Sequence, residues 1–469
     1  MPLPSQSQST PPDVLTSWQW SRDELAAWQL AQFNAQLARI LPDNRFYHDK
    51  LGDARSGLTH LDQLSQLPLT TKQELVASAA ADPGGISTHH TYPARSYSRM
   101  HRTSGTSGHP LLVLDTAADW LWWSSTWQHV LQAAEVTTES RVFLAFSFGP
   151  FIGFWSAHQA CVDRGASVIP GGGLSSLARL EFMRQTCADV VCCTPSYALH
   201  LVEVARQENW PLSQLGVKRL IVAGEAGGSI PAVREQLEQA WQAQVIDHAG
   251  ATEIGPWGFG WPNRPGLHVI ETAFIAELLP IENSPSDSTQ RDLALTSHVT
   301  PKVSATSATK VATPKASATS ANTHSTLHEL VLTSLGRYGA PLIRYRTGDV
   351  VCAGVVPANC NFLWLPRGVV GRVDDMLTIR GVNVFPSSID EIVRQIPGIQ
   401  EYRVTVDREG ALDRLQIEIE AESEQQQSQL EKLLSTQLGL RIAVRSLPPA
   451  SLPRSELKAR RWIDARFRE

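Results

Sequence analysis

Gly371-Arg-Val-Asp-Asp-Met-Leu-Thr-Ile-Arg-Gly-Val-Asn-Val-Phe-Pro386 decides the architecture, because the chain changes character across it. Before it, short apolar runs alternate with helical patterns over most of the chain; after it comes one brief alternation of helix and strand. Asp374, Asp375 and two arginines are too much charge for a buried strand, while Met376, Leu377 and Ile379 are too apolar for a free linker. The stretch therefore reads as a hinge, centred on residues 371–376, that touches two domains (1–370 and 371–469) and a polar ligand.

Working back towards the start, apolar runs at Val142–Phe146, Ser167–Ile169, Val190–Cys193, Leu220–Ala223 and Val245–Asp247 are mostly separated by amphipathic stretches of helical length. Strands alternating with helices predict an α/β domain whose parallel sheet is covered on both faces. In such a sheet, ligands bind beyond the carboxyl ends of the strands. Thr194-Pro-Ser-Tyr197, Gly224-Glu225-Ala226 and His248-Ala-Gly-Ala-Thr-Glu253 each follow a strand, so all three are expected on one edge. Nearer the start, Ser21-Arg-Asp-Glu24 and Thr71-Lys-Gln-Glu74 are capping boxes that open helices. Leu25, Trp28, Phe33, Leu37 and Ile40 continue the first of these at mostly helical spacing, and Pro83-Gly84-Gly85 is a turn after the second. Residues from about 282 to 327 are rich in Ser, Thr, Ala and Pro, cannot bury enough to order themselves, and read as an insertion between two strands, the second at Leu330–Thr333.

Working forward, Ser388-Ile-Asp-Glu391 is expected to cap a helix, with strands at Arg403–Val406, Leu415–Ile419 and Ile442–Val444 and a helix at Gln426–Leu438. That order predicts a small α+β lid, followed by a basic tail, Leu452-Pro-Arg-Ser-Glu-Leu-Lys-Ala-Arg-Arg461.

A chain of 469 residues with 42% apolar composition has length for two or three domains and ample core. A formal charge of -5 gives no broad attraction to nucleic acid or anionic lipid. The first residues lack signal-peptide character and no apolar run is long enough to span a bilayer, so the expectation is a cytoplasmic protein without membrane or nucleic-acid partners. The six cysteines have neither disulfide-framework nor zinc spacing and read as free thiols.

Three clusters suggest chemistry. His101-Arg-Thr-Ser-Gly-Thr-Ser-Gly-His-Pro110 has the small residues and hydroxyls that wrap donors around phosphate, and equally the composition of an ordinary loop. Tyr345-Arg-Thr-Gly-Asp349 sets a carboxylate after a glycine turn, suited to a ribose diol or simply to solvent. Gly250-Ala-Thr-Glu253 offers a hydroxyl and a carboxylate for a phosphate oxygen and Mg²⁺, or the first turn of a helix.

Taken in order and spacing, these motifs, Gly224–Ala226, Gly371–Gly381 and Pro453–Arg461 resemble those of the adenylate-forming ligases. Thr194-Pro-Ser-Tyr-Ala-Leu199, Arg344-Tyr-Arg-Thr-Gly-Asp349, Gly371-Arg-Val-Asp-Asp-Met376, Gly381-Val-Asn-Val-Phe-Pro386 and Leu452-Pro-Arg-Ser455 are most similar to the phenylacetate-CoA ligase family. The resemblance implies a large N-terminal adenylate-forming domain with parallel-sheet layers and a small mobile lid that swings about Asp374. It implies that Thr103, Ser104, Gly105, Thr106, Ser107 and Gly108 hold the ATP phosphates and that Gly224, Glu225, Ala226 and Gly250 line the nucleotide site. Thr252 would meet the α-phosphate, Glu253 would ligate Mg²⁺, Asp349 with Arg372 would take the ribose, and Lys458 would bridge the carboxylate and α-phosphate. Phe148, Phe151 and Tyr197 are expected to wall an apolar, partly aromatic acyl pocket, whereas Trp120, Trp123 and Trp127 read as core packing.

The implied activity joins an aryl or other apolar carboxylic acid to coenzyme A through an acyl-adenylate, with a homodimer as the expected assembly. Two alternatives remain open: delivery of the acyl group to a carrier protein or amine, and a nucleotide-binding relative without catalysis. The last is motivated by departures from the family pattern: His109 where lysine is usual, Ala249 in place of an aromatic residue, and Leu457 in place of glycine.

Overall fold

The computed structural model describes residues 13–52, 56–81, 87–103, 110–281, 326–379, 382–409, 412–421, 423–454 and 461–466. The turn at Pro83–Gly85, the phosphate-loop residues Ser104 to His109, the low-complexity stretch up to residue 325, the Arg380-Gly381 pair, and Leu457 and Lys458 lie outside them.

An eight-stranded sheet organises the larger part of the chain. Its order is Trp364–Leu365, Arg264–Val269, Gly255–Trp261, Gln244–Ala251, Arg219–Ala223, Val190–Cys193, Arg141–Leu144, Ser167–Pro170. The last five are parallel, as the alternation of strand and helix requires. The first three are antiparallel additions that sequence periodicity did not reveal. Successive side chains on a strand point to opposite faces. Accordingly Val142, Leu144, Val190, Cys192, Ile221 and Ile246 join one core. Their neighbours Phe143, Val191, Cys193, Leu220, Val222 and Val245 join another on the opposite face. Helices Ala117–Ala133 and Ile152–Asp163 feed the first core, and helices Ser176–Thr186, Pro195–Gln207 and Pro231–Trp241 the second. In the parallel strands inside the edge strand Ser167–Pro170, the unbroken apolar runs are thus the signature of burial on both faces.

Both N-terminal capping boxes form. Ser21 and Glu24 exchange hydrogen bonds at the start of Arg22–Ile40, and Thr71 and Glu74 do so before Lys72–Ala80. Leu25, Phe33, Leu37 and Ile40 are buried, and the Trp28 indole donates to the Thr272 carbonyl at 2.9 Å.

A second sheet is antiparallel, in the order Phe274–Pro280, His328–Ser334, Tyr345–Val351, Val369–Arg372. Its first pair runs in register from Phe274↔Ser334 to Pro280↔His328, so the low-complexity stretch interrupts a hairpin between two strands. Strands Tyr97–Arg102 and Leu112–Thr116 pair in a separate antiparallel ladder, and the phosphate-loop sequence falls between them in the chain.

After the hinge stretch, strands Ala443–Leu447, Leu412–Glu420, Tyr402–Glu409 and Trp462–Asp464 form a sheet in that order. Helices Pro386–Arg394 and Glu424–Leu438 pack on it, and the buried residues of this core all fall between Ile379 and Val444. Two details differ from expectation. The first helix starts at Pro386, whose fixed φ suits the first helical position and whose missing N–H costs nothing there, so Ser388 lies inside it. The basic tail is also followed by a strand, Trp462–Asp464, that pairs in parallel with Val404–Val406.

Candidate active site

The carboxyl ends of the parallel strands gather as expected. Cys193 is registered with Val222, and Ala223 with His248, which brings the segments after three strands to one edge. After Val190–Cys193, Thr194 caps helix Pro195–Gln207 by accepting from the Tyr197 amide at 3.2 Å. Gly224 then turns the chain with φ +94°, a conformation that disfavours a side chain. Glu225 reaches back to accept from the Ser196 amide at 2.8 Å, placing a carboxylate at a helix N-terminus where the dipole favours it.

Gly250-Ala-Thr-Glu253 does not begin a helix. Strand Gln244–Ala251 runs through it, and Thr252 and Glu253 form the turn into the antiparallel strand Gly255–Trp261. The Glu253 carboxylate, only 10% exposed, meets the Lys72 ammonium at 3.0 Å. Its backbone carbonyl accepts from Arg337, whose fully buried guanidinium is paired with the equally buried Asp115 at 2.7 Å. Glu253 also lines a small cavity with His89, His90, Leu75, Leu111 and Leu342. Neither ring nitrogen of buried His90 has a hydrogen-bond partner among the described residues.

Burial, reinforced by His89 and Arg337, pushes the His90 imidazole down to about 2. Burial, with Arg337, pushes His89 down to about 4, and burial, with Arg99 and Arg337, does the same to His101. These imidazoles are therefore neutral at pH 7, and the positive charge beside Glu253 comes from Lys72 and Arg337.

On the neighbouring sheet Asp349 faces Arg372 across the strands, with an ion pair of 3.0 Å. Gly348 makes this possible: at φ +75°, a Cβ there would stand 2.8 Å from the Arg372 guanidinium. Arg372 also donates to the Thr347 carbonyl at 3.1 Å and approaches Asp374 at 3.6 Å. Asp374 lies in the short 3-10 turn Val373–Asp375, with two thirds (67%) of its side chain in solvent. The buried Tyr345 phenol is held well above its usual range by desolvation first, then by Glu253, with Asp349 and Asp374 adding to the effect. Tyr345 thus links Glu253 to the Asp349–Arg372 pair in one electrostatic neighbourhood.

The three expected acyl-wall residues are not brought together. Phe148 packs on the first core, in ring contact with Phe146, Trp155 and His158. Phe151 precedes helix Ile152–Asp163 and is 36% exposed. Tyr197 belongs to the second core, across the sheet, with its hydroxyl 3.1 Å from Ser176 and the Arg179 guanidinium over its ring. Trp120, Trp123 and Trp127 are buried, and Trp127 packs on His248 with centroids 4.2 Å apart. The methyl of Ala249 lies against Gly258, its neighbour on the next strand.

Sequence reading passed over Lys72, Asp115 and Arg337. Lys72 was absorbed into a helix cap. Asp115 and Arg337 are 222 residues apart, and the one available signal was an aspartate directly after the apolar run Leu111–Leu114.

The donor chemistry fits nucleotide and magnesium. Mg²⁺ is typically held by one or two carboxylates together with substrate phosphates. Glu253 supplies such a carboxylate, and among the described residues no group of three or more His, Cys, Asp or Glu could hold an ion alone. No helix among the described residues is long and apolar enough to cross a membrane.

Comparison with known proteins agrees with this chemistry. Residues 381–466 match the AMP-binding enzyme C-terminal domain. The phenylacetate-coenzyme A ligase of Escherichia coli (strain K12) is 28% identical over 464 residues, covering 95% of this chain and 96% of that protein. The crystal structure of 2-hydroxyisobutyryl-CoA ligase in the postadenylation state with R3-HIB-AMP superposes with a TM-score of 0.80 at 25% identity, over 96% of this chain and 92% of that one. The same ligase in the thioesterification state with 2-HIB-AMP and CoA gives 0.64 at 26% identity, over the same 96% and 92%.

Proposed function

The chain is a member of the phenylacetate-CoA ligase family of adenylate-forming enzymes, and from that premise we propose that it activates an apolar, aryl-type carboxylic acid. It is an AMP-forming acid–thiol ligase, using ATP to make an acyl-adenylate and passing the acyl group to coenzyme A. The observation that carries the reading is that Glu253, electrostatic neighbour of Tyr345 and so of the Asp349–Arg372 pair, lines a cavity with Val113 of the strand pair that flanks the phosphate-loop sequence.

In the first half-reaction a substrate carboxylate oxygen bonds to the α-phosphorus and the bond to pyrophosphate breaks. Two anions meet, so the site needs fixed positive charge at the forming bond. We assign that role to Lys458, a compact point charge, with Thr252 at the α-phosphate and Asp349 accepting hydrogen bonds from the ribose diol. Arg372, paired with it at 3.0 Å, orients Asp349. Bound magnesium would neutralise phosphate charge, with Glu253 as its protein ligand. In the second half-reaction the thiolate of coenzyme A bonds to the acyl carbon and AMP leaves. The two steps need different surroundings at one site, which motivates a division at residue 371 and lid movement about Asp374. ATP and free coenzyme A as substrates favour a cytoplasmic setting.

Pyrophosphate release measured across aryl and aliphatic acids tests the substrate class. Release with aryl acids and product on free coenzyme A supports it; product only on a carrier-protein pantetheine transfers the reading to that acceptor. Release with short polar acids alone contradicts the apolar assignment.

A further inference from the structure

Arg454 lies in the tail of the lid, and its guanidinium is held from two sides. Within the lid it forms a paired contact with Glu420, at 3.0 and 2.7 Å, and the Leu452 amide donates to the same carboxylate at 2.6 Å. Glu420 is fully buried at the end of strand Leu412–Glu420, so this half of the arrangement is built into the lid. The remaining edge of Arg454 donates to Glu203 at 3.0 Å, across the chain in helix Pro195–Gln207. That helix starts at Thr194 on the active-site edge, where Glu225 binds its first turn. Burial alone would raise the Glu203 carboxyl, but the nearby His200 ring, 3.8 Å away, and the hydrogen bond from Arg454 outweigh it and hold the group below its usual range.

Two observations give this contact a role. First, Arg454 precedes Lys458 by four residues, at most about 14 Å of extended chain, so fixing Arg454 limits where Lys458 can reach. Second, the chain superposes far better on its relative in the postadenylation state (TM-score 0.80) than in the thioesterification state (0.64). The Glu203–Arg454 contact therefore belongs to an arrangement of the adenylation type.

We propose that Glu203 and Arg454 form a latch that holds the lid in the adenylation orientation, making them positioning residues for the first half-reaction. The proposal rests on the ligase reading above for its consequence, but the latch itself is a property of the fold. Arg454 keeps its partner Glu420 when the latch opens, so the lid can leave without stranding a buried charge. Only the Glu203 contact, whose two side chains are each 22% exposed, is exchanged for water, which makes the latch weak enough to release on every turnover.

The test changes Glu203, because replacing Arg454 would strip buried Glu420 of its partner. The readouts in Glu203→Gln and Glu203→Lys are pyrophosphate exchange, for adenylation, and single-turnover thioester formation from preformed acyl-adenylate. A third readout needs no substrate: energy transfer between dyes on exposed Cys187 and on Lys432→Cys. Exchange should fall about two- to five-fold in Glu203→Gln and further in Glu203→Lys, with thioester formation unchanged or faster. The dye-pair distribution should leave its parent position by a similar ratio, and added salt should move the parent towards the Glu203→Gln behaviour. An unchanged dye distribution, or equal loss in both half-reactions, overturns the latch. Absence of exchange in the parent with any acid sinks the ligase reading instead, and the dye measurement still decides the latch.

Discussion

Replacing Arg337 with methionine should destabilise the protein more than a surface change could, and the structure says by how much. Arg337 and Asp115 are both fully buried, joined at 2.7 Å through Nη2 and 2.9 Å through Nε. The Trp123 indole donates to the same carboxylate oxygen at 3.2 Å, and the guanidinium sits 5.4 Å from that ring. Asp119 is adjacent; burial and then the Asp115 charge hold its carboxyl above the usual range, and Arg337 works against both. Without the cation, two buried carboxyl groups face each other with no counter-charge. Breaking a buried pair by removing one partner costs about 3 to 5 kcal/mol, a large share of the roughly 5 to 15 kcal/mol that keeps a protein folded. Asp115→Asn should cost a similar amount, and the double variant should cost at least about 2 kcal/mol less than the sum of the two. Urea unfolding of the four proteins measures this cycle. Arg337→Lys adds a functional reading: it keeps the charge but changes the donor that reaches the Glu253 carbonyl, so pyrophosphate exchange should fall in a protein that stays folded. Single losses below about 1 kcal/mol that simply add would refute the reasoning.

Other consequences are as direct. Burial pushes the Asp247 carboxyl up to about 6, against hydrogen bonds from Ser229 and the His248 amide that lower it. The fold thus prefers the protonated form: its stabilisation is complete below pH 3.8 and lost as pH rises through about 6, to a total of about 3 kcal/mol. Asp247→Asn should therefore gain on the parent by about 1.5 kcal/mol between pH 5 and pH 8, measured by denaturant titration at each pH; a constant difference would exclude the linkage. His129 has the opposite sign. Burial pushes it down to about 3, so its contribution is present above pH 6.5 and lost as pH falls, and His129→Gln should flatten the acid limb of the stability curve. Trp127→Ala should cost about 3 to 5 kcal/mol and leave a cavity beside His248, because the ring is core rather than acyl-pocket wall. Asp374→Pro should spare pyrophosphate release and block thioester formation; equal survival of both would remove the pivot from Asp374.

How much of this was legible depended on sequence distance. The inner parallel strands were readable because burial on both faces leaves uninterrupted apolar runs such as Val190–Cys193. The two capping boxes were readable because each is completed within four residues. The antiparallel strands Gly255–Trp261 and Val369–Arg372 were not: the first is broken by glycines and the second mixes charge with valine, so neither shows a clean period. Thr252 and Glu253 have the composition of a helix start, yet strand pairing with Gly255 makes them a hairpin turn. Asp349 and Arg372 were paired only through the family resemblance, and cross-strand register is what brings them together. Tyr197 was assigned to the acyl wall because it follows a strand at the ligand-binding edge; its side chain points instead into the core beneath helix Pro195–Gln207. Lys72, Arg337 and the Glu203–Arg454 contact depend on partners far away in the chain, for which local pattern holds no signal.

The central claim is that an acyl-adenylate forms at the Glu253–Asp349 edge and is then passed to coenzyme A. Mass spectrometry of a reaction with ATP, Mg²⁺ and an aryl acid, sampled before and after adding coenzyme A, tests it most directly. The account predicts acyl-AMP in the first sample, its conversion to acyl-CoA and AMP in the second, and loss of the first product in a folded Lys458→Ala variant. ADP as the nucleotide product, or acyl-CoA formed as readily by Lys458→Ala as by the parent, would contradict it.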